Sequence, residues 1–265
     1  MVYDVVVVGG GPAGAVLAYE LACRGLEVLL LEKATLPRYK PCGGGLTFKT
    51  ISGLPFDARP VLDLPATGGI VSYRGRTLLQ VEVEQPLGWL VMRDRFDHFL
   101  VQQAVAAGAH LVEGARVVAV EDDGRRVVAR TARAVFAAHL LAGADGADSV
   151  VARSMGLLPR RETGVAIEAE VVVPPAAQEA QGCRLTFDFG ALRNGYGWIF
   201  PKRDHFSIGV AQARAAKATA LKESLARFLH SQPVLQGARV LQARGHRLPL
   251  GGGRDALHKG RVLLV

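Results

Sequence analysis

Three glycines near the start of the chain have the spacing of a phosphate-binding turn. Gly9, Gly11 and Gly14 follow an apolar run over residues 5–8. In a dinucleotide-binding βαβ unit, the first glycine allows a tight turn, the second lets the backbone approach a pyrophosphate, and the third lets the helix pack closely on the strand. The positive end of that helix then faces the diphosphate. The cofactor site predicted at this turn comprises Gly9, Gly11, Pro12, Ala13 and Gly14.

An acidic residue at the end of the next apolar run narrows the choice of dinucleotide. Residues 28–31 are apolar and lead into Glu32 and Lys33. Glu32 is placed to accept hydrogen bonds from an adenosine ribose, and its charge would repel a 2′-phosphate. The pattern favours FAD or NAD over NADP, and we include Glu32 and Lys33 in the predicted cofactor site.

The composition is that of a globular protein. The chain has 265 residues, of which 49% are hydrophobic, and a formal net charge of +8. Its arginines are dispersed rather than clustered among aromatic residues, which argues against a nucleic-acid partner. The basic charge is compatible with attraction to an anionic membrane surface.

The sequence carries no pattern typical of a membrane span, a signal peptide, a disulfide framework or a metal site. No apolar run reaches the length of about 18 residues that a span requires, and the chain enters its first strand at Asp4. We therefore expect a cytoplasmic location. The three cysteines are far apart and the seven histidines are scattered. Neither disulfides nor a bound metal is expected.

The order of the predicted elements indicates an α/β fold with an inserted second domain. Strands and helices alternate in the first half of the chain, whereas long alternating strands follow Gly156. An antiparallel sheet of that kind does not belong to a doubly wound fold. We predict a Rossmann-like FAD-binding domain with an inserted antiparallel β-sheet (α+β) substrate domain. The predicted boundaries are 1–65, 90–160 and 255–265 for the FAD-binding domain, and 66–89 and 161–254 for the substrate domain.

Two glycine-rich segments are predicted to be loops. Residues 33–50 contain two prolines and the run Gly43, Gly44 and Gly45, which indicates a backbone that must lie against a ligand. Residues 251–253 are predicted to form a flexible exit from the substrate domain. A helix is predicted over residues 221–229, lying on the inserted sheet.

Two further motifs suit a flavin. Asp145-Gly146 follows an apolar strand, and Arg93 opens the segment Arg93-x-x-Phe96-Asp97. Together with the N-terminal turn, these motifs resemble the FAD-dependent oxidoreductases of the para-hydroxybenzoate hydroxylase superfold, and within it the geranylgeranyl reductase family. The resemblance covers essentially the whole chain. It implies that FAD is the cofactor, that Asp145 and Gly146 contact its ribityl and pyrophosphate region, and that Arg93 approaches its phosphates.

The segment Lys40-Pro41-Cys42-Gly43-Gly44-Gly45-Leu46 resembles the cysteine-glycine loop of the prenyl reductase branch. The resemblance implies that Gly43, Gly44 and Gly45 position the isoalloxazine ring. It makes Cys42 the candidate catalytic residue, as a redox-active thiol. A small residue needed in a tight loop would explain Cys42 as well.

A second stretch resembles the substrate-cavity motif of the same branch. It reads Tyr196-x-Trp198-x-Phe200-Pro201 and is followed by Gly209-Val210-Ala211, in which Ala211 replaces the family's second glycine. The resemblance implies that Tyr196, Trp198, Phe200 and Pro201 bind the substrate. Side chains two residues apart on a strand share a face, which suits a cavity wall and also a plain core.

The resemblance implies an FAD-dependent reductase of carbon–carbon double bonds in a geranylgeranyl or other prenyl lipid. An isolated alkene accepts hydride poorly, so the reaction needs a reduced flavin, a proton donor and a dry pocket. No arginine or histidine lies on the aromatic strand, which favours a long apolar substrate over a compact charged aromatic one. The electron donor is NADPH or ferredoxin, and peripheral membrane contact is compatible with the charge.

Two other functions stay open at this stage. An aromatic monooxygenase or halogenase uses the same fold, and a non-catalytic dinucleotide-binding module belongs to a different class. We also expect the sequence to be C-terminally truncated. In the resembled family, the strand that corresponds to residues 261–265 leads into a Gly-Asp motif.

Overall fold

The computed structural model describes residues 1–158, 162–213, 218–250 and 256–265. The predicted flexible exit at residues 251–253 lies outside these residues, as do the predicted domain boundaries at 160/161 and 254/255. The strands of the first half are β1 (Val2–Val8), β2 (Val28–Leu31), β3 (Gly45–Thr47), β4 (Pro65–Ala66), β5 (Gly68–Tyr73), β6 (Arg76–Glu82), β7 (Gly88–Leu90), β8 (His110–Val112) and β9 (Val117–Asp122). Those that follow are β10 (Val127–Thr131), β11 (Val135–Gly143), β12 (Thr163–Val172), β13 (Arg184–Phe189), β14 (Gly195–Pro201), β15 (Phe206–Gln212), β16 (Arg239–Pro249), β17 (His258–Lys259) and β18 (Val262–Leu264). The helices are α1 (Pro12–Ala22), α2 (Phe48–Ser52), α3 (Arg93–Ala106), α4 (Val150–Met155), α5 (Pro175–Gln181) and α6 (Ala218–Ser231).

The described residues form two compact units. The first comprises residues 1–39, 94–158 and 256–265, and the second comprises residues 40–93, 162–213 and 218–250. Residues 40–65, which the sequence placed with the FAD-binding domain, therefore group with the second unit. The reason is local strand pairing, because β3 and β4 both pair with β7 in a small three-stranded sheet.

The first unit is built on a parallel sheet. Its strands lie in the order β18-β11-β1-β2-β8, all parallel, while β10 and β17 add antiparallel pairs at β11 and β18. Val6, Leu29 and Leu141 are fully buried and pack with Val151 of α4. Strands buried on both faces read as continuous apolar runs, which is the pattern of β1 and β2.

The second unit is built on a seven-stranded sheet in the order β16-β12-β15-β14-β13-β5-β6. Its pairs are antiparallel except for β5 and β13, which run parallel, so the predicted antiparallel sheet is in fact mixed. One face packs on α6, where Ile199 and Ile208 meet Leu225 and Phe228. This arrangement confirms the helix predicted over residues 221–229. The opposite face of the sheet lines a cavity.

The prediction that residues 33–50 form a continuous loop is wrong at its end. Residues 45–47 form β3, and α2 begins at Phe48. The Thr47 side chain accepts a hydrogen bond from the Thr50 N–H (3.2 Å) and so caps this helix. Backbone pairing with β7 orders the segment despite its glycines.

Candidate functional site

The three glycines of the N-terminal turn have different structural roles in the first unit. A Cβ atom added at Gly9 would overlap the backbone of Ala144, and one added at Gly14 would overlap the carbonyl of Gly9. Gly9 also has a φ of +110°. Gly11 lies in open space, since among the described residues only the guanidinium of Arg38 comes within 4.0 Å of such a Cβ. Gly9 and Gly14 therefore serve the packing of the fold, whereas Gly11 leaves room for a ligand.

Helix α1 begins directly after Gly11, with Pro12 at its first position and Ala13 next. Within the described residues no side chain caps the helix, so the N–H groups of its first turn stay available for an anion. The pyrophosphate site at this turn stays a prediction.

Glu32 is buried beside this turn and held from several sides. Its Oε2 accepts a hydrogen bond from the Gly10 N–H at 2.8 Å, and its Oε1 accepts one from the Ala34 N–H at 2.9 Å. The Nε atom of Arg38 lies 3.5 Å from the same Oε1. A carboxylate has about four lone-pair sites, so these contacts fix Glu32 while leaving capacity for ribose hydroxyls. Lys33, the next residue, is exposed.

Arg38 belongs to this site although the sequence did not single it out. Its Nη1 lies 3.0 Å from Oδ2 of Asp97, which is fully buried on α3. The paired guanidinium is thereby directed toward Glu32 and Gly11. A basic residue shortly after the acid of the second strand was the available signal, because arginines near that acid bind phosphate in related cofactor sites.

Asp145 supplies a second feature that fits a flavin nucleotide. Its Oδ2 accepts hydrogen bonds from the N–H groups of Val150 (2.6 Å) and Val151 (3.2 Å) at the start of α4. Its Oδ1 is buried, and no hydrogen-bond partner for it exists within the described residues. Gly146 follows with a φ of +82°. A buried acceptor of this kind fits a ligand hydroxyl, as the ribityl chain of FAD would provide.

The remaining cofactor predictions, Arg93 and Gly43–Gly45, fall in the second unit. Arg93 is the first residue of α3. The glycine run precedes and begins β3, and it lines a cavity of about 410 Å³, which lies in the usual range of ligand pockets.

Aromatic side chains form most of one cavity wall. Tyr196, Trp198 and Phe200 point into it from β14, and Phe187 joins them from β13. The Phe187 and Phe200 rings pack edge to face with centroids 5.3 Å apart. Burial raises the pKa of the Tyr196 phenol, with a smaller contribution from Cys42. Pro201, also predicted to bind substrate, is buried at the end of β14 and is not among the described residues that line the cavity.

Glycines make room for these rings. A Cβ at Gly43 would lie 2.7 Å from Cδ2 of Phe200 and 3.2 Å from Nε1 of Trp198. A Cβ at Gly209, on the neighbouring β15, would overlap the Trp198 ring. The aromatic motif and the glycine positions therefore form one packed arrangement.

A buried lysine holds the glycine loop from one side. Nζ of Lys202 donates hydrogen bonds to the carbonyl oxygens of Gly43 (2.8 Å) and Val91 (3.0 Å), and the residue is 2% exposed. Burial lowers its pKa to about 8, against the opposing effect of nearby acidic groups, of which Asp63 is the strongest. Lys202 was not singled out from the sequence.

A buried carboxylate holds the same loop from the other side. Oε2 of Glu168 accepts a hydrogen bond from the Cys42 N–H (3.0 Å), and Oε1 accepts one from the Ser207 hydroxyl (2.8 Å). Cys42 itself is exposed and lines the cavity, with its Sγ 3.4 Å from the Gly44 nitrogen. Glu168 could have been identified from the sequence because it is a charged residue within the apolar strand β12. Charged side chains are rarely buried unless they are paired or functional.

The cavity is not wholly apolar. Arg244 and His246 line it from β16, which the sequence did not predict as a strand. The aromatic strand itself contains no such group, but polar groups reach the cavity from β12 and β16. The sequence-based observation therefore holds for the aromatic strand but does not describe the whole cavity lining.

An open glycine at a helix start, an anchored acid and a buried acceptor oxygen define a dinucleotide-binding protein of the flavoprotein class. The chain belongs to the FAD binding domain family, which matches residues 2–184. The predicted cofactor, FAD, is thereby confirmed.

Three relatives are similar to this chain over most of its length. An uncharacterized protein of Methanosarcina barkeri is 31% identical over 94% of this chain and 63% of that protein. Digeranylgeranylglycerophospholipid reductase 1 of Methanopyrus kandleri is 32% identical over 84% of this chain and 61% of that protein. The chloroplastic geranylgeranyl diphosphate reductase of Oryza sativa subsp. japonica is 31% identical over 98% of this chain and 59% of that protein. The chain spans about three fifths of the length of these relatives, and two of them carry names that agree with the predicted family.

Solved structures confirm the predicted fold class. A geranylgeranyl bacteriochlorophyll reductase-like protein of Thermoplasma acidophilum has a TM-score of 0.85 at 24% identity, covering 100% of this chain and 70% of that one. The myxobacterial chondrochloren halogenase has a TM-score of 0.76 at 23% identity, and the match covers 100% of this chain and 68% of that one. At such identities these matches show the shared fold alone.

Of the helices in the described part of the chain, none combines the length and apolarity needed to cross a lipid bilayer. Within the same residues, no group of three or more His, Cys, Asp or Glu side chains is arranged to hold a metal ion.

Proposed function

We propose that the full-length protein reduces carbon–carbon double bonds of a geranylgeranyl or other prenyl chain, with FAD as its cofactor. The cavity walled by Tyr196, Trp198, Phe200 and the glycine loop carries this proposal. A long apolar chain fits such walls, whereas a compact polar aromatic substrate would need more convergent polar groups along them. The relatives named as reductases of geranylgeranyl compounds support the same substrate class.

Each part of the cavity has a role in this reaction. Bound FAD, once reduced, would supply the hydride that an isolated alkene accepts only in a favourable site. Trp198 and Phe200 would hold the chain and exclude water. The Tyr196 phenol is protonated at neutral pH, as any tyrosine with a pKa of about 10 is, and its side chain points into the cavity, so its hydroxyl is the proposed proton source. Cys42 stays a predicted redox-active thiol, exposed at the cavity wall.

NADPH and ferredoxin are the two proposed electron donors, and the sequence shows no second nucleotide fingerprint that would choose between them. We also propose peripheral contact with an anionic membrane, where prenyl lipids reside. The formal net charge of +8 supports this contact. Leu78 and Leu79 on the exposed strand β6 add apolar surface beside Arg74 and Arg76.

The second candidate is an aromatic monooxygenase or halogenase, in which the reduced flavin would activate oxygen. The chondrochloren halogenase has the same fold, so the fold does not separate this candidate from the reductase. The apolar walls of the cavity favour the reductase. A plain NAD-binding module is disfavoured by membership in the FAD binding domain family.

Product mass separates these candidates. We would incubate the dithionite-reduced, full-length protein with geranylgeranyl lipids under anaerobic conditions and weigh the products by mass spectrometry. A gain of one pair of hydrogen atoms per double bond is expected. An oxygen-dependent gain of an oxygen or halogen atom on an aromatic compound would instead move the protein to the second candidate.

A further inference from the structure

The sheet face that lines the cavity of the second unit continues onto exposed surface. Tyr196 lines the cavity from β14 and pairs with Phe189 on β13, which in turn pairs with Tyr73 on β5. Residues paired across neighbouring strands lie on the same face of a sheet. Leu79 on β6 shares this face, because its partner Val71 lies two residues from Tyr73 on β5. We call the surface formed by Tyr196, Phe189, Tyr73 and Leu79 the outer face.

The exposure of these side chains increases with distance from the cavity. Trp198 inside the cavity is 6% exposed, whereas the four residues of the outer face are exposed by 37% (Tyr196), 47% (Phe189), 48% (Tyr73) and 54% (Leu79). The ring centroids of Trp198 and Tyr196 lie 6.1 Å apart, and those of Tyr196 and Phe189 lie 6.4 Å apart. Soluble proteins rarely expose a contiguous apolar patch that has no binding partner. The outer face is therefore an interaction surface that leads into the cavity.

The hairpin turn at the end of the outer face carries an arginine in an unusual position. Tyr73 pairs with Arg76, so Arg74 and Gly75 form a two-residue loop, with φ values of +52° and +78°. Asparagine followed by glycine is the preferred pair for such a loop. The Arg74 guanidinium lies 5.4 Å from the centre of the Tyr73 ring. A charged side chain thus stands beside the outer face at a position where the backbone favours a smaller residue.

This end of the outer face is basic. Arg74 and Arg76 are exposed there, and Arg193 is exposed in the loop that follows β13. The two turns, residues 73–76 and 189–196, contain no acidic residue. Within the described part of the chain, neither Arg74 nor Arg76 forms a salt bridge.

The acidic residues of the four strands β14, β13, β5 and β6 lie elsewhere or are buried. Glu82, at the other end of β6, forms a salt bridge of 2.6 Å with Arg184. Asp188 is fully buried on the opposite face of the sheet, where its Oδ2 accepts hydrogen bonds from the Ser72 hydroxyl (2.6 Å) and the Gly75 N–H (2.7 Å). The arginines at the turns therefore leave this end of the outer face with a net positive charge.

We propose that the outer face docks on the anionic surface of a lipid membrane, and that the prenyl substrate passes across this face into the cavity. Tyrosine rings and arginine side chains suit the headgroup layer of a membrane, whereas Phe189 and Leu79 suit the apolar layer beneath it. The inference rests on the proposed function for its substrate, and it assigns the proposed membrane contact to one surface. A substrate that enters in this way stays on apolar side chains from the membrane to Trp198.

Co-sedimentation with vesicles tests the docking on the full-length, FAD-loaded protein. Mixed vesicles of phosphatidylcholine and phosphatidylglycerol should bind at least about tenfold tighter than pure phosphatidylcholine, and the preference should shrink in about 1 M salt. Arg74→Asn should weaken binding to the mixed vesicles about fivefold without destabilising the fold, because asparagine suits this turn. Leu79→Ser should weaken it by about three- to tenfold.

Two matched variants in the first unit serve as controls. Arg125→Asn removes the same charge from another exposed hairpin turn, between β9 and β10. Val118→Ser changes an apolar side chain on β9 that is 55% exposed, close to the 54% of Leu79. Both controls should bind the mixed vesicles as wild type does.

A second measurement tests the route of entry. Arg74 and Leu79 are not among the described residues that line the cavity. Arg74→Asn and Leu79→Ser should therefore raise KM for a geranylgeranyl lipid carried in the mixed vesicles and leave kcat unchanged. For the same lipid in detergent micelles, both constants should match those of wild type.

Contrary results for the docking and for the reaction are distinguishable. Vesicle binding that neither Arg74→Asn nor Leu79→Ser weakens would overturn the docking, while reduction of a prenyl lipid in detergent would leave the proposed function intact. A dimer that Leu79→Ser dissociates, in a protein that binds no vesicles, would assign the outer face to a second copy and overturn the proposal. Weakened vesicle binding with an unchanged KM would overturn the route of entry. Vesicle binding that both variants weaken, without reduction of any prenyl lipid, would support the docking and overturn the proposed reaction.

Discussion

Lys202 and Gly43 are joined by a hydrogen bond of 2.8 Å from the buried ammonium group to the loop carbonyl. The same ammonium reaches Val91 O at 3.0 Å, and Glu168 holds the Cys42 N–H on the other side of the loop. A run of three glycines would otherwise sample many conformations. Two buried charges of opposite sign thus fix a backbone that its own residues leave flexible.

Removing the lysine should loosen this loop and destabilise the protein. Lys202→Met keeps a similar length but leaves the Gly43 and Val91 carbonyls without their donor, which costs about 1–3 kcal/mol of unfolding free energy. Urea denaturation at neutral pH measures the loss. Lys49→Met, at an exposed position of α2, is the matched control and should stay within about 0.5 kcal/mol of wild type. Equal stability of the two variants would show that the hydrogen bonds of Lys202 contribute nothing to the free energy of unfolding.

The same lysine should make the stability of the folded protein depend on pH. Its pKa in the folded state is lowered to about 8 from 10.5, mainly by burial, with Asp63, Cys42, Glu168 and Glu170 opposing the shift. Between these values the unfolded chain binds more protons than the folded one, so the contribution of Lys202 to stability rises with pH.

Comparison with Lys202→Met isolates this contribution from other titrating groups. The stability difference between wild type and variant should grow from about pH 8 to 10.5, by on the order of 3 kcal/mol at full titration. Denaturation curves at a series of pH values would show it. A difference that stays constant through this window would mean that Lys202 titrates normally.

Gly11 should be needed for FAD but not for the fold. Gly11→Val places methyl groups where the pyrophosphate would approach, yet among the described residues a Cβ there meets only Arg38, at 4.0 Å. We expect loss of visible flavin absorbance from the purified protein. The stability of the apoprotein should fall by no more than about 1 kcal/mol, the cost of a poorer helix N-cap.

Gly14→Val is the contrasting variant. Its Cβ would overlap the Gly9 carbonyl, so it should lower the stability of the apoprotein itself as well as the flavin content. Normal flavin content in Gly11→Val would refute the assignment of the pyrophosphate to this turn.

The cofactor-binding residues predicted in the first unit could be chosen from local sequence. The turn at Gly9–Gly14 and the acid Glu32 have a fixed spacing that follows from the geometry of one βαβ unit. Asp145 stays a prediction that the family resemblance implies, carried by a short motif directly after a strand. In each case the residues that make the site lie within one or two neighbouring elements.

The polar part of the cavity was not predictable in this way. Glu168 and Arg244 come from strands that are far apart in sequence and become neighbours only through the pairing of β12 with β16. Strand β16 itself was missed because it is an edge strand exposed along most of its length, so its side chains need not alternate between apolar and polar. Arg38 was missed because its role depends on Asp97, which lies 59 residues away.

The packing of Trp198 on Gly209 should decide the shape of the cavity. In the folded protein the indole ring occupies the space above Gly209 where a side chain would stand. A Cβ at Gly209 would also lie 2.5 Å from the backbone oxygen of Ile167 on β12. Gly209→Ala would therefore displace the ring toward the cavity and also disturb the pairing of β15 with β12. We expect a changed tryptophan emission and at least about tenfold weaker binding of geranylgeranyl ligands, equivalent to about 1.4 kcal/mol. Gly69→Ala, on β5 of the same sheet, is the control. A Cβ there comes no nearer than 3.8 Å to its neighbours, so this variant should leave the Trp198 emission and the binding of the same ligands unchanged. If Gly209→Ala binds them as well as wild type does, Trp198 is a plain core residue and the aromatic strand does not form the substrate wall.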